Sequence, residues 1–138
     1  MNLKRFHLIL GLATLLTFIG TGMFMRITHP GMAGVDPAQR IFFRSRHIYI
    51  LAIASVHLML GAYSTGAQST FRKTLQRIGS LLLTLSSVLL IAAFFRENAA
   101  LVPNLPLSVH GLFSLLGGTL LHLLAAPREQ KLGGERAS

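Results

Sequence analysis

The feature that most constrains this chain is where its charges are absent. Between Arg5 and Arg26 the only ionisable side chain is His7, and the same plan, a long apolar run closed by basic or proline residues, recurs three more times. The runs cover 6–25, 47–64, 78–95 and 105–126. At a rise of about 1.5 Å per residue, about twenty residues cross a hydrocarbon core of roughly 30 Å. Inside lipid a backbone must satisfy its own hydrogen bonds, so each run is read as a helix; runs without period-two alternation do not build a barrel. The expected fold is all-α: an integral membrane four-helix bundle, up-down-up-down, spanning residues 1–138 as a single membrane domain with a polar tail at 127–138. A secretory signal peptide is the rival reading of the first run. Its length, and the lack of a small-x-small site in Gly20-Thr21-Gly22-Met23-Phe24, favour a retained span.

Thirteen Lys and Arg against four acids give a net charge of +9. In a soluble domain that balance would point to nucleic acid. Here the basic residues cluster at the ends of the runs, the placement that anchors helices to lipid head groups, so nucleic acid is not an expected partner. The absence of cysteine excludes a disulfide framework, a thiolate metal site and an iron–sulfur cluster within this sequence. The side holding the two ends and the loop around Arg72, Lys73 and Arg77 carries eight basic residues, against five on the other. That difference predicts cytoplasmic termini and an external connection from Ile27 to Ser45.

Lipid tails give helices no hydrophobic reason to associate, so stripes of small and hydroxylated residues mark contact faces. The stripes read Gly11, Thr14, Phe18 and Thr21 in the first run, and Ser80, Thr84 and Ser87 in the third. In the second the stripe is His47, Ile50, Ala54, His57, Gly61 and Ser64. The fourth shows His110, Ser114 and Gly117, with Gly111, Gly118 and His122 on an adjoining strip.

An ionisable group inside a span is by default a functional-site hypothesis. The runs hold histidines but no Asp, Glu, Lys or Arg, which argues against a carboxylate proton relay and suits a site built on neutral imidazole. Haem iron held by two histidines on neighbouring helices is the commonest such site in a small bundle. His57 and His110 are the first candidates for the iron, and His47 and His122 complete the expected cofactor-binding set. His47 and His57 are ten residues apart, about 15 Å, and His110 and His122 twelve, about 18 Å, which makes two roughly level pairs, His47 with His110 and His57 with His122. Twelve residues also turn a helix by about 120°, so one haem b is easier to accommodate than two. Arg40, Arg44 and Arg46 near His47 would meet its propionates or an acidic lipid at the external interface. His7 and His29, at the end of the first run or beyond it, are expected to be wet and without a role. The overall plan is similar in architecture to the histidine-ligated b-type cytochromes of the cytochrome b561 kind, whose paired histidines are matched here on two helices at best.

Two functions follow as expectations. One is a small b-type cytochrome or haem-bearing subunit in membrane electron transfer, with a quinol as candidate donor. The alternative is a cofactor-free accessory or assembly subunit that docks to other membrane subunits through Gly111, Gly117 and Gly118. A stand-alone enzyme ranks last, because there is no cysteine nucleophile, no carboxylate in the runs and no HExxH motif.

Overall fold

The computed structural model describes residues 2–30, 33–63, 69–97 and 106–126. These form α1 (Leu3–Thr28), α2 (Pro37–Tyr63), α3 (Thr70–Arg96) and α4 (Pro106–Ala125). All four are long and apolar enough to cross a bilayer, and the chain is a multi-pass integral membrane protein. The polar tail expected at 127–138, and Ser64 at the end of the second stripe, lie outside the described residues.

Three helices begin earlier than the apolar runs, and their caps show why. Asn2 accepts the Lys4 amide, Asp36 accepts the amides of Ala38 and Gln39 ahead of Pro37, and Ser69 accepts the Arg72 amide. Each oxygen satisfies an amide that the first helical turn leaves without a partner, and proline at the first helical position has no amide to satisfy. The helices therefore carry their basic residues on their own first turns. In the connection before α2, Gly34 takes the left-handed conformation (φ 73°) that L side chains avoid.

Helix direction is read from what meets what. His7 near the start of α1 touches His57 near the end of α2, bonds to Ser80 in the first half of α3, and packs its ring on His122 near the end of α4. At the opposite end, Arg46 early in α2 meets Glu97 just past α3 and Ser108 at the start of α4. The helices thus alternate up-down-up-down. α1 packs along α2 and α3 along α4, and α2 against α3 joins the two hairpins.

Close approach within each hairpin depends on missing side chains. A Cβ on Gly11 would lie 2.9 Å from the Leu58 backbone nitrogen, and one on Gly61 would lie 2.8 Å from that of Leu8. Gly79 and Gly118 do the same for α3 and α4, each facing the other's carbonyl oxygen at 3.0 and 2.8 Å. Small residues at such crossings let dispersion contacts and polar groups do the work that water-driven burial cannot do in lipid. Between the two ends of the bundle the core is dry, centred on the fully buried Ile53, Leu83 and Leu90.

The inner face of α4 differs from the expected one. Ser108, Gly111, Gly118, His122 and Ala125 are buried, whereas His110 is exposed. The buried positions follow three- and four-residue steps over the whole helix if Leu115 is counted, and the stripe through His110 is displaced from that seam. Gly111 and Gly118, expected as a docking surface, are used internally, against Leu90 and against Gly79 and Leu83.

Candidate functional site

The buried ionisable side chains of the bundle gather at two places. The first lies toward the chain termini, where α1, α2, α3 and α4 contribute His7, His57, Ser80 with Ser87, and His122. His7 and His57 are fully buried and their Nδ1 atoms lie 2.8 Å apart. His7 Nε2 is 2.9 Å from Ser80 Oγ, His122 Nε2 is 3.1 Å from the same oxygen, and His57 Nε2 is 3.1 Å from Ser87 Oγ. Both hydroxyls also reach back one turn, Ser80 to the Gln76 carbonyl at 2.7 Å and Ser87 to the Leu83 carbonyl at 3.1 Å.

These contacts contain more acceptors than the neutral groups have protons to satisfy. A hydroxyl has one proton, and a neutral imidazole carries one N–H and one lone pair. With both serines donating to their helix carbonyls, the facing Nε2 atoms must be N–H donors. That leaves two bare lone pairs facing each other at the Nδ1–Nδ1 contact. Three arrangements resolve the conflict. In one, Ser80 turns to donate to His7 Nε2, His7 Nδ1–H donates to His57 Nδ1, and His57 Nε2–H donates to Ser87. In the second every arrow reverses: Ser87 donates to His57 Nε2, His57 Nδ1–H to His7 Nδ1, and His7 Nε2–H to Ser80. In the third both serines keep their carbonyls and one additional proton sits between the two rings. Chemically, this is a continuous chain of hydrogen-bonding groups with exchangeable protons, from Ser80 to Ser87, over about 10 Å of helix.

The second centre lies at the loop end. Arg46 and Glu97 form an ion pair at 3.2 Å with each side chain 2% exposed. Arg46 Nε donates to Ser108 Oγ, whose hydroxyl donates to Glu97 Oε2. The guanidinium also sits 4.6 Å over the Phe42 ring. Glu97 accepts the amides of Leu107 (2.7 Å) and Ser108 (3.2 Å), so the carboxylate that ends α3 caps the positive start of α4. Burial alone would raise the Glu97 carboxyl's pKa, but bonds from the Ser108 hydroxyl and the Ser108 and Leu107 amides, with the Arg46 charge, hold it below its ordinary value.

The histidines expected to share a site divide differently. His57 and His122 do come to one level, through Ser80 and the His7 ring that lies between them; the His7 and His122 ring centres are 5.3 Å apart. His7, expected to be wet, is the buried hub of the cluster. Its place was readable: positions 7, 11, 14, 18 and 21 continue the α1 stripe in steps of four and three. His47 stands apart, bonded to Thr21 Oγ at 2.9 Å and stacked on Phe18 with ring centres 4.0 Å apart. His110 donates to the Pro106 carbonyl of its own helix from an exposed position, so it does not meet His57 or His47. Arg46, expected as a lipid or propionate anchor, is instead the buried partner of Glu97.

In this packing His7 and His57 are bonded to each other and to serines. The 2.8 Å contact of His7 with His57 is a hydrogen-bond spacing. Both ring nitrogens of His57 are engaged. Among the described residues no group of three or more His, Cys, Asp or Glu is placed to hold a metal ion.

Comparison of the chain with protein-family models, with curated proteins and with solved structures gave no match.

Proposed function

We propose that this chain is a cofactor-free proton-handling subunit of a membrane assembly, with the Ser80–His7–His57–Ser87 chain as its working part. The observation that carries the reading is the 2.8 Å contact between two imidazole nitrogens, each ring held from behind by a serine that has a second bond to choose. Such a contact always needs one proton, and the two neutral arrangements differ only in which way the protons point. A proton that enters at Ser80 comes to rest between the two rings, as in the third arrangement, and its return by the same path restores the neutral chain. No carboxylate and no metal is needed for this, which accounts for spans that hold histidine and serine but no acid.

The chain of bonds stops at Ser87, against the apolar centre of the bundle at Leu83, Leu90 and Ile53. It reaches one side of the membrane only. That supports the role of a subunit that takes and returns protons for a partner over that of a self-sufficient channel. With both termini in the cytoplasm, the exchanging side is the cytoplasmic one.

The test is nitrogen-15 NMR of the histidine-labelled full chain in lipid nanodiscs. The reading expects two Nδ1 resonances with the signature of an imidazole–imidazole hydrogen bond, absent in His7→Phe and in His57→Phe, with the His47 and His110 signals unmoved. Visible spectra of the same preparation, made in cells supplied with haem precursor, are expected to be flat. A reduced-minus-oxidised α-band abolished by His57→Ala would overturn the reading and restore the b-type cytochrome.

A further inference from the structure

The relay has a mouth, and the mouth has a shape. A cavity of about 250 Å³ lies between α2, α3 and α4 at the terminal end, with Gln76 and His122 in its wall. His122 turns one ring edge to α3: its Nε2 meets Ser80 Oγ, and its Cδ2 is the atom that a Cβ on Gly79 would strike at 2.9 Å. The opposite edge carries Nδ1, which has no hydrogen bond among the described residues, and the residue is part of the cavity wall. When Ser80 donates elsewhere, His122 Nε2 must be the N–H donor to Ser80, and Nδ1 is then a lone pair awaiting a donor.

The rest of the wall is apolar. Met59, Leu60 and the Tyr63 ring stand on one side and Leu123 and Ala126 on the other. A water needs two to four polar partners, and apolar cavities of about 150 Å³ hold benzene rather than water. This one is larger than that and smaller than the roughly 300–1,000 Å³ of drug-sized sites, which suits a single substituted ring. Its rim is formed by the last residues of α2 and α4, where a ring with a lipid tail meets the aqueous boundary, and the Met59 thioether is a favourable neighbour for an aromatic face.

We infer that this cavity binds the hydroxylated ring of a lipid-soluble phenol or hydroquinone, with the ring O–H donating to His122 Nδ1 between Tyr63 and Leu123. The inference rests on the relay reading and names the donor at its start. A proton received at Nδ1 lets His122 pass its Nε2 proton to Ser80, and Ser80 its own to His7; the ring oxygen is left anionic and the additional proton rests between His7 and His57.

The experiment uses the full chain, histidine-labelled with nitrogen-15, in nanodiscs of phosphatidylcholine and phosphatidylglycerol, titrated with a short-chain alkylhydroquinone and with its dimethyl ether, which has no proton to donate. The expected result is a saturable movement of the His122 Nδ1 resonance with the hydroquinone, none with the ether, and an apparent affinity weakened about tenfold or more in Ala126→Phe, which narrows the cavity. The His7 and His57 resonances before titration report separately on the relay: their absence would sink that reading, whereas intact signals with an unmoved His122 would overturn the binding site alone. An equal response to the ether, or undiminished binding in Ala126→Phe, would also overturn it. So would a His122 Nδ1 that exchanges with water and ignores the hydroquinone, which would make the cavity an aqueous vestibule.

Discussion

The two polar centres of this bundle solve the same problem in opposite ways. At the loop end, two full charges are buried and locked: Arg46 and Glu97 share Ser108, and the carboxylate caps α4. Arg46 and the α4 amides can only donate and Glu97 can only accept, so the proton positions have a single solution. At the terminal end the groups are neutral, the donors are fewer than the contacts, and several solutions coexist. The difference teaches that burial alone does not make a site functional. A fully satisfied centre holds structure, and one that is short by a proton is able to exchange one.

The largest expected effect falls on the locked centre. Glu97→Ala strands the Arg46 charge and uncaps α4, and is expected to cost about 3–5 kcal/mol, read from detergent unfolding followed by far-UV circular dichroism. A loss under about 1 kcal/mol would show the pair to be solvated rather than buried. Gly118→Ala comes next. It forces a Cβ against the Gly79 carbonyl and is expected to cost about 1–3 kcal/mol. Because that crossing lies one turn from His122, the His122 resonance should move while Arg46 and Glu97 stay paired; the reverse pattern would break the separation between the centres.

The sharpest contrast comes from removing partners together. His57→Leu alone leaves His7 Nδ1 buried without a partner and is expected to cost about 1–3 kcal/mol, whereas adding His7→Leu should bring most of that back, because replacing both halves of a hydrogen bond by apolar groups is nearly neutral. The equivalent double change at Arg46 and Glu97 should not recover stability, since α4 still loses its cap. Equal recovery at both centres in double-mutant cycles would erase the comparison. The smallest effect is with pH. The Glu97 pKa is depressed by folding, so its contribution is fully present above the ordinary value of 4.5 and is lost as pH falls through the lower folded value. Unfolding of the parent should therefore become easier below that range, and Glu97→Gln should flatten the dependence.

Much of the fold was legible because lipid leaves the backbone few choices: four runs without charge have to be four helices, and short connections make neighbours antiparallel. The helix starts were less so. Arg40, Arg44 and Arg46 interrupt hydropathy without interrupting the helix, and the signal that α2 begins at Pro37 was the Asp36 cap rather than the apolar run. The site was only half readable. His57 and His122 were singled out by depth, but His7 was set aside because it stands near a terminus, although its step to Gly11 places it on the inner stripe. His110 belongs to a stripe that competes with the true seam of α4 only one residue away. Arg46 reads as an anchor because charge at a span end ordinarily snorkels, Glu97 reads as part of a connection, and nothing in a single sequence pairs residues that lie fifty-one positions apart.

The spacing of the two serines has a consequence for assembly. His7 and His57 come together within the first hairpin, and the ring atoms that face outward from it are the two Nε2 positions. Ser80 and Ser87 are seven residues apart on α3, two turns on one face, so they meet those positions as the two pins of a plug. Sliding α3 by a single residue rotates it by about 100° and unseats both pins at once. The second hairpin therefore has one depth and one rotation at which it docks, set by polar contacts in a solvent where apolar surfaces would slide past one another freely.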